Sequence, residues 1–318
     1  MGNAMLSDSL QFRDTEHLSS VLKHTDVSAV QLSRGKFHAD LAQRSLGGWT
    51  LQYIRFHEGQ SSAAGTAARR RHAFLIPLSV SSPCRVLGED LTADRMVMYA
   101  PGGEHADVST GGLSEVVVTP PIGTLDESAD RGEQINLIRF GSAVTAVPRA
   151  GFETLKGVLR HCRSLPEPSV ASPDLERSVA DVLELALVGA LRNSTEVQAP
   201  GRLPMPRSAI LARVRHALER NHAEPIYATE LAKLASVSYP TLRRIFVEWF
   251  GVSPTRYLML KRLYIARQRI LSGECQTVTA AATVCGFWEL GRFARRYAEL
   301  FGELPSATLA RVNGNRQI

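Results

Sequence analysis

The 318 residues are 44% hydrophobic and 21% charged with a net charge of +6, a soluble globular composition with room for two domains. No run approaches the ~18 apolar residues of a membrane helix, and the start, MGNAMLSDSLQF, has neither the basic head nor the apolar core of a secretory signal. Four cysteines, at 84, 162, 275 and 285, form no paired spacing, which predicts packing thiols in a reducing cytoplasm.

From Val27 to about Arg139 the texture is strand-like. Phe37–Leu41 alternates, as does Trp49–Tyr53 after the Gly47-Gly48 turn. Ala73–Val80, Arg95–Ala100 and Glu115–Thr119 are further β-prone runs, punctuated by Pro77, Pro83, Pro101-Gly102-Gly103 and Gly111-Gly112. Short strands with frequent turns predict a β-sandwich or small barrel. The inside of such a fold is apolar with a few orienting polar groups, and Phe37, Trp49, Tyr53, Phe56, His57 and Phe74 are the candidate lining of a ligand pocket. Ser61–Ala68 reads as a flexible loop leading into Arg69-Arg70-Arg71, a solvated charge run, with an anionic ligand or an RNA polymerase surface as the alternative partner. His38, His57, His72 and His105 are separated and unpaired, and Glu104-His105-x-Asp107 reads as a polar strand entry. With no Gly-x-Ser-x-Gly elbow and no P-loop, no catalytic residue, metal or cofactor is predicted.

Pro148–Cys162 and Asp174–Leu191 read as helices separated by the break Leu165–Pro173. The second carries an apolar stripe, Leu175, Val179, Val182, Leu183, Ala186, Leu187 and Ala190, broad enough to bury against the β region and a second subunit. Asn193–Arg207, with Pro200, Gly201, Pro204 and Pro206, reads as an interdomain linker.

The last third contains one unit twice. Leu242, Arg244, Phe246, Gly251 and Pro254 recur as Phe293, Arg295, Tyr297, Gly302 and Pro305, each 51 positions later. Ala232 and Val237 recur as Ala282 and Phe287, 50 positions later. Such repeats govern the fold reading. In the first unit Thr229 caps a short helix, Ser236–Val237–Ser238 turns, and a second helix buries Leu242, Ile245, Phe246, Trp249 and Phe250. In the second, Ala280–Val284 is the short helix, Cys285–Gly286 the turn and Trp288–Leu300 the longer helix. Gly251 and Gly302 suit left-handed helix ends, and Pro254 and Pro305 suit first turns. Short helices joined this way, with basic residues on the second, have the geometry that enters a DNA major groove. An unbroken helical pattern, 255–271, joins the units and would set two recognition helices about one DNA turn, roughly 34 Å, apart. Residues 208–318 carry a net +8 and residues 1–207 about −2, so the basic excess lies where phosphate would be met.

The pattern Leu231-Ala232, Val237-Ser238, Leu242, Arg244, Phe246, Gly251, Pro254, Tyr257, Arg262, Ala266, Leu271, then Ala282, Gly286-Phe287, Phe293, Arg295, Tyr297, Phe301-Gly302 and Pro305 resembles the AraC/XylS family of bacterial transcription regulators. The resemblance covers about the last hundred residues. It implies a C-terminal domain of about seven helices on promoter DNA, with base-reading positions at Tyr239, Pro240, Arg243 and Arg244 and at Leu290, Gly291, Arg292 and Arg295. Leu290 and Gly291 stand where polar base-readers are common, Trp288 where a small polar cap is usual, and Ala281 where a larger aliphatic is usual. The family also implies a cupin-like effector barrel at the N-terminus and helices after it that pair two monomers. A metal-bearing cupin would need a His-x-His pair, which is missing.

The expected fold is therefore α+β: a cupin-like β-barrel or sandwich (1–148), helices for dimerisation (149–192), a linker (193–207), and an all-α domain of two helix-turn-helix units joined by a long helix (208–318). The expected function is a cytoplasmic DNA-binding transcriptional activator of a catabolic or adaptive operon. Its partners would be promoter DNA, RNA polymerase, a small-molecule effector and a second copy of itself. The alternatives are a ligand-independent DNA-binding or interaction protein acting as an anti-activator, and a cupin enzyme fused to a DNA anchor.

Overall fold

The computed structural model describes residues 9–130, 135–165, 173–192, 194–197, 207–220 and 226–315. The N-terminal half opens with β1 (Leu10–Phe12), helix α1 (Thr15–Val21), β2 (Thr25–Gln31), β3 (His38–Leu46), β4 (Trp49–Glu58), β5 (Gln60–Ala67) and β6 (Ala73–Val80). It continues with β7 (Arg85–Val86), β8 (Glu89–Asp90), β9 (Arg95–Tyr99), β10 (Glu104–Thr110), β11 (Leu113–Thr119), helix α2 (Thr124–Asp130) and β12 (Ser142–Ala146). Helices α3 (Arg149–Ser164) and α4 (Pro173–Leu191) follow, then β13 (Thr195–Glu196).

Two antiparallel sheets face each other, one ordered β1-β3-β4-β11-β6-β9-β12-β13 and the other β2-β5-β10-β7-β8. In β4, Trp49, Leu51 and Tyr53 point outward to α3 and α4, where Phe152, Leu155, Leu159, Leu183 and Leu187 cover them. Its alternate residues Ile54 and Phe56 point to the inside with Phe37, Leu41, Leu75, Val97 and Leu113. That alternation is the two-residue period of a strand. Both faces of β4 are buried, so its pattern alone does not say which face is the interior.

Two expectations are corrected. Ser61–Ala68 is no loop: all but its last residue belong to β5, paired with β2 on one side and β10 on the other. Small side chains serve close packing there, and a Cβ on Gly65 would collide with the backbone at Asp26 and Val27. The expected linker begins as a strand, since β13 joins the sheet edge by pairing with β12. Residues 198–206 of that linker and 166–172 of the break lie outside the described residues.

The C-terminal region is helical: α5 (Arg207–Arg220), α6 (Ala228–Leu234), α7 (Tyr239–Phe250), α8 (Pro254–Leu271), α9 (Val278–Val284), α10 (Leu290–Phe301) and α11 (Pro305–Asn315). Helix α6 starts after Tyr227, two residues earlier than a Thr229 cap would place it, and Trp288 precedes α10, whose cap is Glu289. Gly251 and Gly302 adopt the left-handed conformation at φ 68° and 73°.

The two halves share one core. Val30, Leu32, Ala106 and Val108 of the β region are buried together with Leu211, Val214, Trp249, Phe250 and Tyr257 of the helices. Arg215 makes a two-pronged contact to Glu104, both bonds 3.1 Å. Thr15 Oγ1 donates to Tyr264 OH at 3.0 Å, and Gln268 donates to Glu16 at 2.8 Å. The Arg256 guanidinium donates to the Leu32 carbonyl at 3.1 Å.

Candidate nucleic-acid interface and inter-sheet cavity

Helix α7 is built to hold one face outward. Ser238 Oγ accepts from Thr241 N–H at 3.3 Å, and Pro240 fits the first turn, where no helical N–H bond is needed. Leu242, Ile245, Phe246, Trp249 and Phe250 are buried, which leaves Tyr239, Pro240, Arg243 and Arg244 exposed. Helix α10 repeats the design: Phe293, Tyr297 and Leu300 are buried, and Leu290, Gly291, Arg292 and Arg295 are exposed. All eight sequence-predicted base-reading positions therefore reach solvent. Arg292 is held by Glu289 at 3.1 Å.

Between these surfaces, α8 runs 18 residues, about 27 Å at ~1.5 Å per residue. Its Tyr257 packs against Phe246 and Phe250 of the first unit, with ring centres 5.5 and 4.9 Å apart, and two of its arginines reach rings of the second. Its Arg262 lies 5.1 Å over the Phe287 ring, and Arg267 lies 4.4 Å over Phe301. Trp288, 76% exposed, stands at the head of α10. Its departure from the small polar residue usual there was the only sequence signal of this exposed ring.

The second candidate site is a cavity of about 80 Å³ between the two sheets, capped by α1. Phe37, Ile54, Phe56, Leu75 and Val117 give it an apolar wall, and His105, Asp107, Ser109 and Glu115 are its polar groups from β10 and β11. Tyr99 OH lies 2.7 Å from His105 Nδ1, and His105 Nε2 lies 3.2 Å from Asp107 Oδ2. One tautomer serves both bonds: Nδ1 accepts from the tyrosine and Nε2–H donates to the carboxylate. Asp107 Oδ1 also accepts the Ala63 N–H at 2.9 Å. Glu115 is 3% exposed and its Oε2 has no hydrogen-bond partner. Burial, with the Asp107 charge nearby, holds its carboxyl well above the ordinary carboxylate range.

Of the six residues expected to line a pocket, Phe37 and Phe56 do so. Trp49, Tyr53 and Phe74 do not, because they sit on the outer face of the sheet against α3 and α4. The Tyr53 hydroxyl donates to the Leu159 carbonyl at 2.6 Å. His57 lies elsewhere, 2.7 Å from Asp40 and stacked on His38 with ring centres 4.7 Å apart. His38 and His57 are thus paired around one carboxylate, against the sequence reading, because the β3–β4 hairpin brings them side by side. His105 and Asp107 lie at the entry of β10, as the sequence reading has it, and also point into the cavity. Glu115 was missed, although it is the one charged side chain in the run Leu113–Thr119. All four cysteines are buried free thiols, with burial pushing Cys162 and Cys285 up to about 11.

Comparison with known proteins bears on the C-terminal half. Residues 231–311 match the family described as a helix-turn-helix domain. The XylDLEGF operon transcriptional activator 1 of Pseudomonas putida is 29% identical over 182 residues, 55% of this chain and 51% of that protein. A probable thc operon regulatory protein of Rhodococcus erythropolis is 30% identical over 188 residues, 57% of this chain and 55% of that protein. The chain thus spans about half the length of these relatives. A crystal structure of the AraC-like transcriptional activator CuxR aligns over 87% of this chain and 99% of that one, with a TM-score of 0.42 and 10% identity. The repeated helix-turn-helix units, their paired glycine and proline ends, and the sequence matches to the helix-turn-helix family and to the two operon regulators place the chain in the AraC/XylS family through its C-terminal domain.

Proposed function

We propose that this protein is an effector-responsive transcriptional activator that reads two adjacent major-groove segments with α7 and α10. The observation that carries this reading is the matched exposure of Tyr239, Pro240, Arg243 and Arg244 with Leu290, Gly291, Arg292 and Arg295 on the second helices of two units joined by the 18-residue α8. Arg243 and Arg244 present planar forks able to grip a guanine edge through two hydrogen bonds. The α10 unit offers fewer donors and supplies mainly phosphate grip. Function is divided as 1–148 for the effector, 149–192 for dimerisation, 193–207 as linker and 208–318 for DNA. Helix α4 supports the dimer, since Val182 and Leu185 stay exposed on its outer side. RNA polymerase is the further partner of an activator, and the protein acts by binding rather than by catalysis.

Effector response has a physical route in β10. His105, Asp107 and Ser109 face the cavity, while Ala106 and Val108 on the other face belong to the core shared with α7. A ligand acts here by favouring one arrangement of cavity and helix over the other.

The test is selection from a random duplex library at moderate salt. Wild-type protein is expected to enrich two short boxes about 10 base pairs apart. Arg244→Ala should lose about 1–3 kcal/mol of affinity for the first box with an unchanged melting temperature, since the side chain is exposed. Failure of the wild-type protein to enrich any sequence would overturn the reading.

A further inference from the structure

We propose that the inter-sheet cavity binds a small organic cation, a short alkylammonium, whose charged head is held by Glu115 and Asp107 and whose chain lies among Ile54, Phe56, Leu75 and Val117. This rests on the cavity being the effector site and names the chemistry of its occupant.

Three observations carry it. Glu115 Oε2 is buried, faces the cavity and has no partner, a costly state for a carboxyl group unless a donor arrives. The titratable lining is Glu115, Asp107, His105, His24 and Tyr99, and among the described residues no lysine or arginine lines the space. A ligand carboxylate would enter beside two acidic groups with no cation to meet it, whereas an ammonium brings three donors to the unpartnered Glu115 Oε2 and the neighbouring Asp107 carboxylate. The volume, about 80 Å³, is roughly half that of an engineered cavity of about 150 Å³ that takes benzene, so the apolar body is short.

Protons follow from the same geometry. The groups around Glu115 are Asp107 and His105 from β10, Tyr99 from β9, Cys84 from the turn before β7, and His24 ahead of β2. Burial favours the protonated carboxyl in the empty cavity. An arriving ammonium favours the carboxylate, so binding releases a proton from Glu115 to solvent and tightens as pH rises.

The experiment is calorimetry on the full chain with n-propylamine, n-butylamine and n-pentylamine, and with 1-butanol and butyrate as shape-matched controls. At least one amine is expected to bind, with proton release seen as a dependence of the heat on buffer ionisation enthalpy. Glu115→Gln should weaken it about tenfold or more, Asp107→Asn should weaken it as well, and butyrate should not bind. Circular dichroism melts establish that each variant is folded. Binding of none of the amines, or binding of butanol or butyrate as tight as butylamine, overturns the proposal. The random-duplex selection needs no ligand, so a failure here leaves the DNA-reading result standing, and the reverse.

Discussion

Glu115 illustrates what one side chain does when it is kept where it is not comfortable. Its carboxyl is raised above the ordinary range by burial and by Asp107. A raised carboxyl contributes stability that is fully present below the unfolded value of about 4.3 and is lost as pH rises through the folded value. Denaturant melts from pH 4 upward should therefore show the wild type losing stability relative to Glu115→Gln, with the variant the more stable at neutral pH. Equal pH profiles for the two would show that the carboxyl is solvated. The facing groups Asp107, His105, Tyr99, Cys84 and His24 are common to both proteins, so the difference isolates Glu115. Trp249 is the opposite case. It is 2% exposed, packs where a Cβ on Gly88 would collide with its ring, and its Nε1 has no partner. Trp249→Ala should cost about 3–5 kcal/mol in an unfolding titration. Trp249→Phe should cost less, because no hydrogen bond is given up.

At the level of elements, the duplicated unit was legible because its signals are local. The glycine that ends α7 and the proline in the first turn of α8 mark their helices without any long-range partner, and the serine caps at 238 and 253, which the sequence reading passed over in favour of Thr229, are equally local. Ser238→Ala should lower stability by about 0.5–2 kcal/mol in thermal melts while leaving the exposed face of α7 intact. A null effect would mean that the cap is replaced by water. The strands β6, β9 and β11 were legible for the same reason, as β-prone runs between prolines and glycines. What the sequence hid was the inside of the β region. Trp49, Tyr53 and Phe74 have the aromatic size of a ligand cup, yet α3 and α4 claim them, and that claim depends on partners about a hundred residues away. Ser61–Ala68 reads as a loop because small side chains signal flexibility in isolation, while in β5 those up to Ala67 permit close approach of neighbours on both sides. The pairing of His38 with His57 likewise depends on strand register, which spacing along the chain does not display.

Taken whole, the molecule joins its two halves through α1, β2 and β10, and in β10 alternate residues are assigned to opposite neighbours. Ala63 of β5 lines the same cavity. Ala63→Leu adds volume comparable to a short ligand, at a cost of about 1–3 kcal/mol for overpacking. The variant should lose butylamine binding in calorimetry, and its DNA affinity in gel shifts should no longer respond to the amine. A retained response would place the effector elsewhere. The arrangement also has a consequence for how such a receptor diversifies. Odd-numbered positions from 105 to 109 face the hollow, and even-numbered ones face the helical domain, so the two sets can change independently, one parity at a time. A single residue inserted ahead of His105 would exchange the parities, turning imidazole and carboxylate toward the greasy seam and alanine and valine toward the guest.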